Sequence, residues 1–369
     1  MKTFSATHAA GSDWPALCDR VVEHSADAGD LAFIYLAEQF ANDATPIIDR
    51  LRERSGIPHW VGCVGMGLCS NGTETYDEPA LSVLTTPFGS DSFRLIPSFD
   101  NTPAEWLAST QDWRQRSLAS VAVVHSDPSC TTLPEQLTAF SDALNGGFLV
   151  GGIASAENEA AQFVDAPALG GVSGVLLGGD LAISTGLTQG CSLIGDKHVI
   201  TSCTRNIIEK IDDRPALDVL KKAIGDVLSR DLSRIGGYIF AALPIQGSDT
   251  GDYLVRNLVG IDPDRGLVAI GDLVQPGMEI QFARRDADTA RADLRQMVEK
   301  LKARLPAPPR GGLYHTCLGR GRHLFGDNSA EMKQIRELLG DVPMAGFYAN
   351  GEISHNRLYG YTGVLTLFS

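Results

Sequence analysis

Read for alternation and period, the chain falls into short apolar runs separated by amphipathic helices and glycine-rich turns. Residues 13–25, DWPALCDRVVEHS, set Leu17, Val21 and Val22 on one face behind Asp13 or Ser12 as N-cap, with Pro15 in the first turn, which predicts a short helix. LAFIYLAEQF (31–40) is a continuous apolar run and reads as a buried strand, although pattern alone also admits a helix. TPIIDRLRERSG (45–56) predicts a helix with Thr45 as cap, Pro46 at its first position and Gly56 as stop. VGCVGMGLCSNGTE then reads as a strand breaking into a glycine turn, and PALSVLTTPF as another strand.

The order returns twice. SVAVVHSDPS (120–129) is a strand, LPEQLTAFSDALNGG a helix, and FLVGGIASAENE a strand entering a turn. GVSGVLLGG and LAISTGLTQG read as a hairpin with Gly178, Gly179 and Asp180 at its tip. Near the C-terminus an apolar strand (Leu313 to Leu318) meets a turn on Gly319 and Gly321 that carries Arg320, Arg322 and His323. A helix follows from about Ser329, then a strand from Pro343 into Gly346, a polar turn NGEISHN, and a last strand GVLTLF. Aligned by role, VGCVGMG (61–67), VGGIASAE (150–157) and AGFYANGE (345–352) each follow a helix and precede an apolar strand. An internal repeat of strand–helix–strand–turn–strand is the inference.

Between the second and third pieces the texture changes. RPALDVLKKAIGDVLS (214–229) predicts an amphipathic helix with Leu217, Leu220, Ile224, Val227 and Leu228 on one stripe. GYIFAALPIQ and then DYLVRNLVGIDPDRGLVAIGDLVQPGMEIQFARR read as successive strands separated by DPDRG and QPG turns. TARADLRQMVEKLKARL (289–305) is a long helix, and PAPPRGG (306–312) has the composition of a linker. The expected organisation is a helical lead over 1–29, a first domain over 30–213 and a second over 214–369. The fold class is α/β: two α/β domains of related strand–helix–strand–turn–strand units with mixed sheets, their glycine turns lining a shared cleft.

Charge and cysteine usage narrow the function. A net charge of −14 argues against nucleic acid and anionic membranes as partners. No apolar run reaches the ~18 residues of a membrane span, and MKTFSATHAAGSDW has no apolar leader core. Seven cysteines without a CxxC pair suggest neither a disulfide framework nor a zinc ribbon, so a cytoplasmic protein is expected.

The segments YLVRNLVGIDPDRGLVAIGD, FARRDADTA, CLGRGR and VPMAGFYANGEISHN followed by TGVLTLF resemble the C-terminal part of the FIST domain family. VGCVGMGLCSNGTE and FLVGGIAS resemble its N-terminal part, so the likeness covers about residues 30–369. It implies a sensory domain for a small ligand in signal transduction, with amino acids suggested on contextual grounds, and in many members a signalling output module follows; here a separate signalling protein is the expected partner. It carries over no catalytic residue and no cofactor.

The site candidates come from chemistry. Glycines 319 and 321 would let backbone approach a ligand, Arg320 would clamp a carboxylate or phosphate, and His323 adds charge to that turn. Glu352 in the Asn350-Gly351-Glu352 turn would pair with Arg320 or receive a ligand ammonium; the alternative is a structural salt bridge. Alternation in LVRNLVG would put one of Arg256 and Asn257 inward, which makes Arg256 a further candidate; a solvated edge strand is the other reading. Strand alternation puts His315 and Cys317 on one face, and guanidinium charge beside Cys317 would lower its pKa, the basis for an alternative reading as a cysteine-dependent enzyme. A buried structural cysteine is the other reading of Cys317. His315, Cys317, His323 and His355 match no zinc spacing, so no metal is assigned. With no HExxH, GxSxG or kinase motif set, the reading is a non-enzymatic sensor of an amino acid or other small carboxylate, with a protein-interaction scaffold as the remaining alternative.

Overall fold

A computed structural model describes residues 2–156, 162–168, 170–245 and 252–369. The chain forms two compact units, one of Met1–Gln189 with Arg291–Ser369 and one of Gly190–Ala290. These units divide the chain elsewhere than at 213/214, so the expected segments 30–213 and 214–369 each contribute to both. Residues 2–29 hold a strand, Ser5–Ala10, besides the expected helix Trp14–Glu23, whose Asp13 side chain accepts the Ala16 N–H.

The first unit contains three parallel strand pairs, each joined by a helix. They are Leu31–Ala37 with His59–Gly65 across helix Ala44–Ser55, Val121–Ser126 with Phe148–Ile153 across helix Leu133–Ala143, and Gly311–Cys317 with Met344–Ala349 across helix Ala330–Leu339. Such strands are buried on both faces, which is why LAFIYLA shows no polar alternation. Helix Ala44–Ser55 begins one residue before the expected cap Thr45 and ends at Gly56 with φ 73°.

Each pair anchors a six-stranded sheet of the same order. The first runs Ser5–Ala10, Ala80–Thr85, Leu31–Ala37, His59–Gly65, Gln162–Val164, Ala166–Ala168. The second runs Phe93–Phe99, Val172–Leu177, Val121–Ser126, Phe148–Ile153, Glu352–His355, Arg357–Tyr359. The third runs Ile183–Gln189, Thr362–Phe368, Gly311–Cys317, Met344–Ala349, Gly67–Ser70, Thr73–Tyr76. In every sheet the last two strands are a hairpin sent by another sheet, and the exchange is cyclic: first to third, third to second, second to first. The turn expected after Ser155 enters residues 157–161, which lie outside the described residues.

Register explains one glycine in each second strand. Gly62 faces Ile34, Gly151 faces Val124 and Gly346 faces Tyr314, and at each a Cβ would collide with the opposite carbonyl oxygen. The next residues along the first strands, Tyr35, His125 and His315, turn inward and meet. Tyr35 Oη lies 2.9 Å from His315 Nε2 and 3.4 Å from His125 Nε2. All three are fully buried, in a core shared by residues of all three sheets.

Two expectations fail here. Val172–Leu177 and Ile183–Gln189 form no hairpin, because the former pairs within the second sheet and the latter with Thr362–Phe368. The stripe expected over 214–229 breaks at Gly225 (φ 77°, ψ 171°), leaving Leu217 and Leu220 buried and Val227 78% exposed.

The second unit is an antiparallel sheet ordered Cys191–Thr204, Glu279–Arg285, Ile239–Pro244, Tyr253–Asp262, Leu267–Ile270, Ile207–Ile211, Arg214–Pro215. Pairing of Cys191–Thr204 with Ile207–Ile211 closes it into a barrel. Helix Ala216–Ser229 lays Leu217 and Leu220 into the same core as Ile208, Val268 and Phe282.

Candidate functional site

Strand alternation sorts the end of Gly311–Cys317 into two environments. Tyr314 and Thr316 point toward helix Ala330–Leu339, where Glu331 sits in the first turn. The chain then turns, with Arg320 N–H donating to Cys317 O at 2.8 Å, and folds the Arg320 side chain back onto that helix. Arg320 Nε and Nη2 donate to Glu331 Oε1 at 2.8 and 2.7 Å, Tyr314 Oη donates to the same oxygen at 2.7 Å, and Gly321 N–H donates to Oε2 at 2.9 Å. Arg320 and Glu331 are both fully buried, which is tolerable only because charge and hydrogen bonds compensate together. Gly321 has φ 50°, and a Cβ there would run into Tyr76 and Tyr348, so the approach of its N–H to Glu331 requires glycine. Burial opposes the Arg320 charge, but Glu331 and Tyr314 more than restore it. Nη1 alone of its nitrogens has no hydrogen-bond partner.

Glu352 lies on the exchanged hairpin, opposite Gly152 on one side and Tyr359 on the other, and is fully buried. Its Oε2 accepts Thr362 N–H at 3.0 Å and Thr362 Oγ1–H at 2.8 Å, whereas Oε1 accepts no N–H or O–H. Burial pushes its pKa up to about 8 against the opposing pull of Thr362, Arg320 and Cys317. Cys317 is the neighbour of this carboxyl. Leu318 and Gly319 beside it are, like Cys317, part-exposed, and the Tyr361 ring packs where a Gly319 Cβ would stand.

The remaining candidates separate. His323 and Asn350 are exposed, and the Asn350 N–H donates to Ile153 O. Arg256 belongs to the second unit, where Nε holds Asp272 at 2.7 Å. Thus Arg320, Glu352, Cys317 and the two turn glycines come together within one unit. Of the two roles expected for Glu352, the ion pair with Arg320 is not formed, because Glu331 takes the guanidinium. The expected drop in the Cys317 pKa is reversed: burial first, then the Glu352 carboxyl, push the thiol up and keep it protonated. His315 faces Tyr35, His355 stacks on Phe148 with centroids 5.2 Å apart, and among the described residues no three His, Cys, Asp or Glu side chains gather as metal ligands.

Glu331 escapes a reading of the sequence although a signal exists, since it shares the inward stripe of its helix with Gln334 and Ile335. The sheet register adds a comparison inside the molecule. Leu68 opposite Phe347, Gln162 opposite Cys63 and Glu352 opposite Gly152 occupy the same place in the three exchanged hairpins. Leu68 is packed in the core, and Gln162 is satisfied by Gly170 O and Ser173 Oγ. Of the three, Glu352 alone brings a carboxyl group and an oxygen left over. The fold at this position does not require an acid.

The chain is thus an α/β protein with a buried polar site at the ends of a parallel strand pair; among the described residues no helix is long and apolar enough to cross a membrane. The chain belongs to the FIST family, matching the FIST N domain over residues 30–214 and the FIST C domain over 216–355. FIST domains are associated with sensory signal transduction. The chain is 34% identical over 324 residues to the uncharacterized protein MT0656 of Mycobacterium tuberculosis (strain CDC 1551 / Oshkosh), covering 84% of this chain and 83% of that one. It is 31% identical over 363 residues to the uncharacterized protein Mb0898c of Mycobacterium bovis, covering 94% and 92%.

Proposed function

We propose that this chain is a cytoplasmic small-ligand sensor whose ligand is an amino acid or other small carboxylate, bound at the Cys317–Gly319 turn. The observation that carries this reading is a pair of buried polar atoms without partners, Arg320 Nη1 and Glu352 Oε1, behind the part-exposed turn. Buried polar atoms are nearly always satisfied, and leaving one bare costs about 1–3 kcal/mol, more when charged. A ligand amine on Oε1 and a ligand acid group on Nη1 would remove both penalties. The seven free cysteines agree with a reducing compartment. A separate signalling protein would read the ligand state. The three units of equal sheet order are inferred to be an internal sequence repeat whose third copy acquired the site.

The test is a thermal-shift screen of amino acids and small metabolites on the wild-type protein and Glu352→Gln. Arg320→Ala is a poor probe, because it strands the buried Glu331 charge. The expected result is a set of stabilising compounds whose effect disappears in Glu352→Gln. Stabilisation that persists undiminished in the variant refutes the site.

A further inference from the structure

The charges around Glu352 select among ligands, a step that rests on the site proposed above. Arg320 brings a positive charge, but Glu331 already cancels it through two hydrogen bonds to a single carboxylate oxygen. From the other elements packed on Glu352 come Cys317 as a neutral thiol, Thr362 as a hydroxyl and an N–H, Gly152 with no side chain, and Tyr359 across the hairpin. None supplies a free positive charge. A fully buried carboxyl in that company keeps its proton, since an isolated buried carboxylate is far costlier than the neutral acid.

We propose that the buried carboxyl of Glu352, with its unpartnered oxygen behind the part-exposed turn, is a cation site, taking the primary ammonium group of its ligand, and that binding expels one proton. The atoms balance without a co-reactant. The Glu352 O–H bond breaks, that proton passes to the buffer, and the resulting carboxylate accepts hydrogen bonds from the incoming R–NH₃⁺. The net charge at the site is zero before and after. A simple carboxylate entering instead would bring a negative charge that only an already neutralised arginine could oppose. Amine recognition is therefore obligatory for the ligand, and an acid group on it is an accessory that Nη1 can hydrogen-bond. The register counterpart Leu68 shows that a position of this kind can be filled without any acid.

Calorimetric titration with ethanolamine, glycine and acetate separates the possibilities. Proton release makes apparent affinity rise about tenfold per pH unit while free Glu352 is protonated. Ethanolamine is thus expected to tighten about a hundredfold from pH 5.5 to 7.5, with close to one proton released per molecule when buffers of different ionisation enthalpy are compared. Glycine follows ethanolamine, and acetate shows neither effect. Ethanolamine binding that is flat with pH, or acetate binding as tightly, overturns the cation assignment yet leaves the site standing if Glu352→Gln weakens binding. Glu352→Leu, which copies the residue type at Leu68, serves as a second variant, and unfolding followed by tryptophan fluorescence verifies that each is folded. Binding by none of the three probes, or binding unchanged in both variants, removes the site itself and this inference with it.

Discussion

Burial of Glu352 ties the stability of the protein to pH. In the unfolded chain its pKa is the ordinary 4.5, and in the folded protein it rises to about 8. For a raised carboxyl pKa, the contribution is fully present below pH 4.5 and is lost as pH rises toward 8, because the unfolded state gains by ionising first. The slope is about 1.4 kcal/mol per pH unit, so the loss accumulated by pH 7.5 is on the order of 4 kcal/mol. Glu352→Gln keeps the shape of the protonated acid and cannot ionise. Its stability should match the wild type near pH 4.5 and exceed it by about 3–4 kcal/mol at pH 7.5. Urea unfolding without ligand, followed by tryptophan fluorescence, is the appropriate assay, since Trp14, Trp60, Trp106 and Trp113 all lie in the first unit. The difference between variant and wild type isolates this one group from other titrations. A difference that does not change between about pH 4.5 and 7.5 would show that Glu352 is ionised in the folded protein and that no neutral acid waits there.

Two other groups give independent checks. Burial lowers the His315 pKa to about 3 from 6.5, so the folded protein refuses a proton that the unfolded chain accepts, and stability is lost as pH falls from 6.5 toward 3. At about pH 4.5 this amounts to about 2.7 kcal/mol, and urea titrations should show that share of the acid sensitivity absent in His315→Gln; an unchanged acid slope would contradict it. Arg320→Ala should destabilise by about 3–5 kcal/mol by leaving Glu331 buried without a counterion, while Arg320→Met combined with Glu331→Leu should recover most of the loss. A single substitution costing under about 1 kcal/mol in the same assay would mean the pair is solvated.

What the sequence reveals, and what it hides, follows from the range of the interactions. The three helix-linked strand pairs are visible because each is local and its glycine sits at a fixed place in the strand. Arg320 and Glu352 are visible because turns do not demand charged residues. The exchange of hairpins is not visible, since nothing in GLCSNGTETY says that it pairs with Met344–Ala349 rather than with its own sheet. The same non-locality turns the apparent hairpin around Gly178 and Gly179 into strands of two different sheets. It also hides the meeting of Tyr35, His125 and His315, which stand far apart along the chain. Glu331 is hidden differently: an acid in a first helical turn is so ordinary there that its inward position passes unnoticed.

The cyclic exchange of hairpins also sets a timetable for synthesis. Residues 67–76 leave the ribosome early, yet the strand that they pair with, Met344–Ala349, emerges roughly 270 residues later. At about 5–20 residues per second this is a wait of roughly fifteen to fifty seconds, and the inserted barrel lengthens it. Throughout it an apolar strand edge stays unpaired, a condition that invites association with other chains. Until its last strands have been made, the nascent chain therefore carries a hairpin whose partner strand does not yet exist.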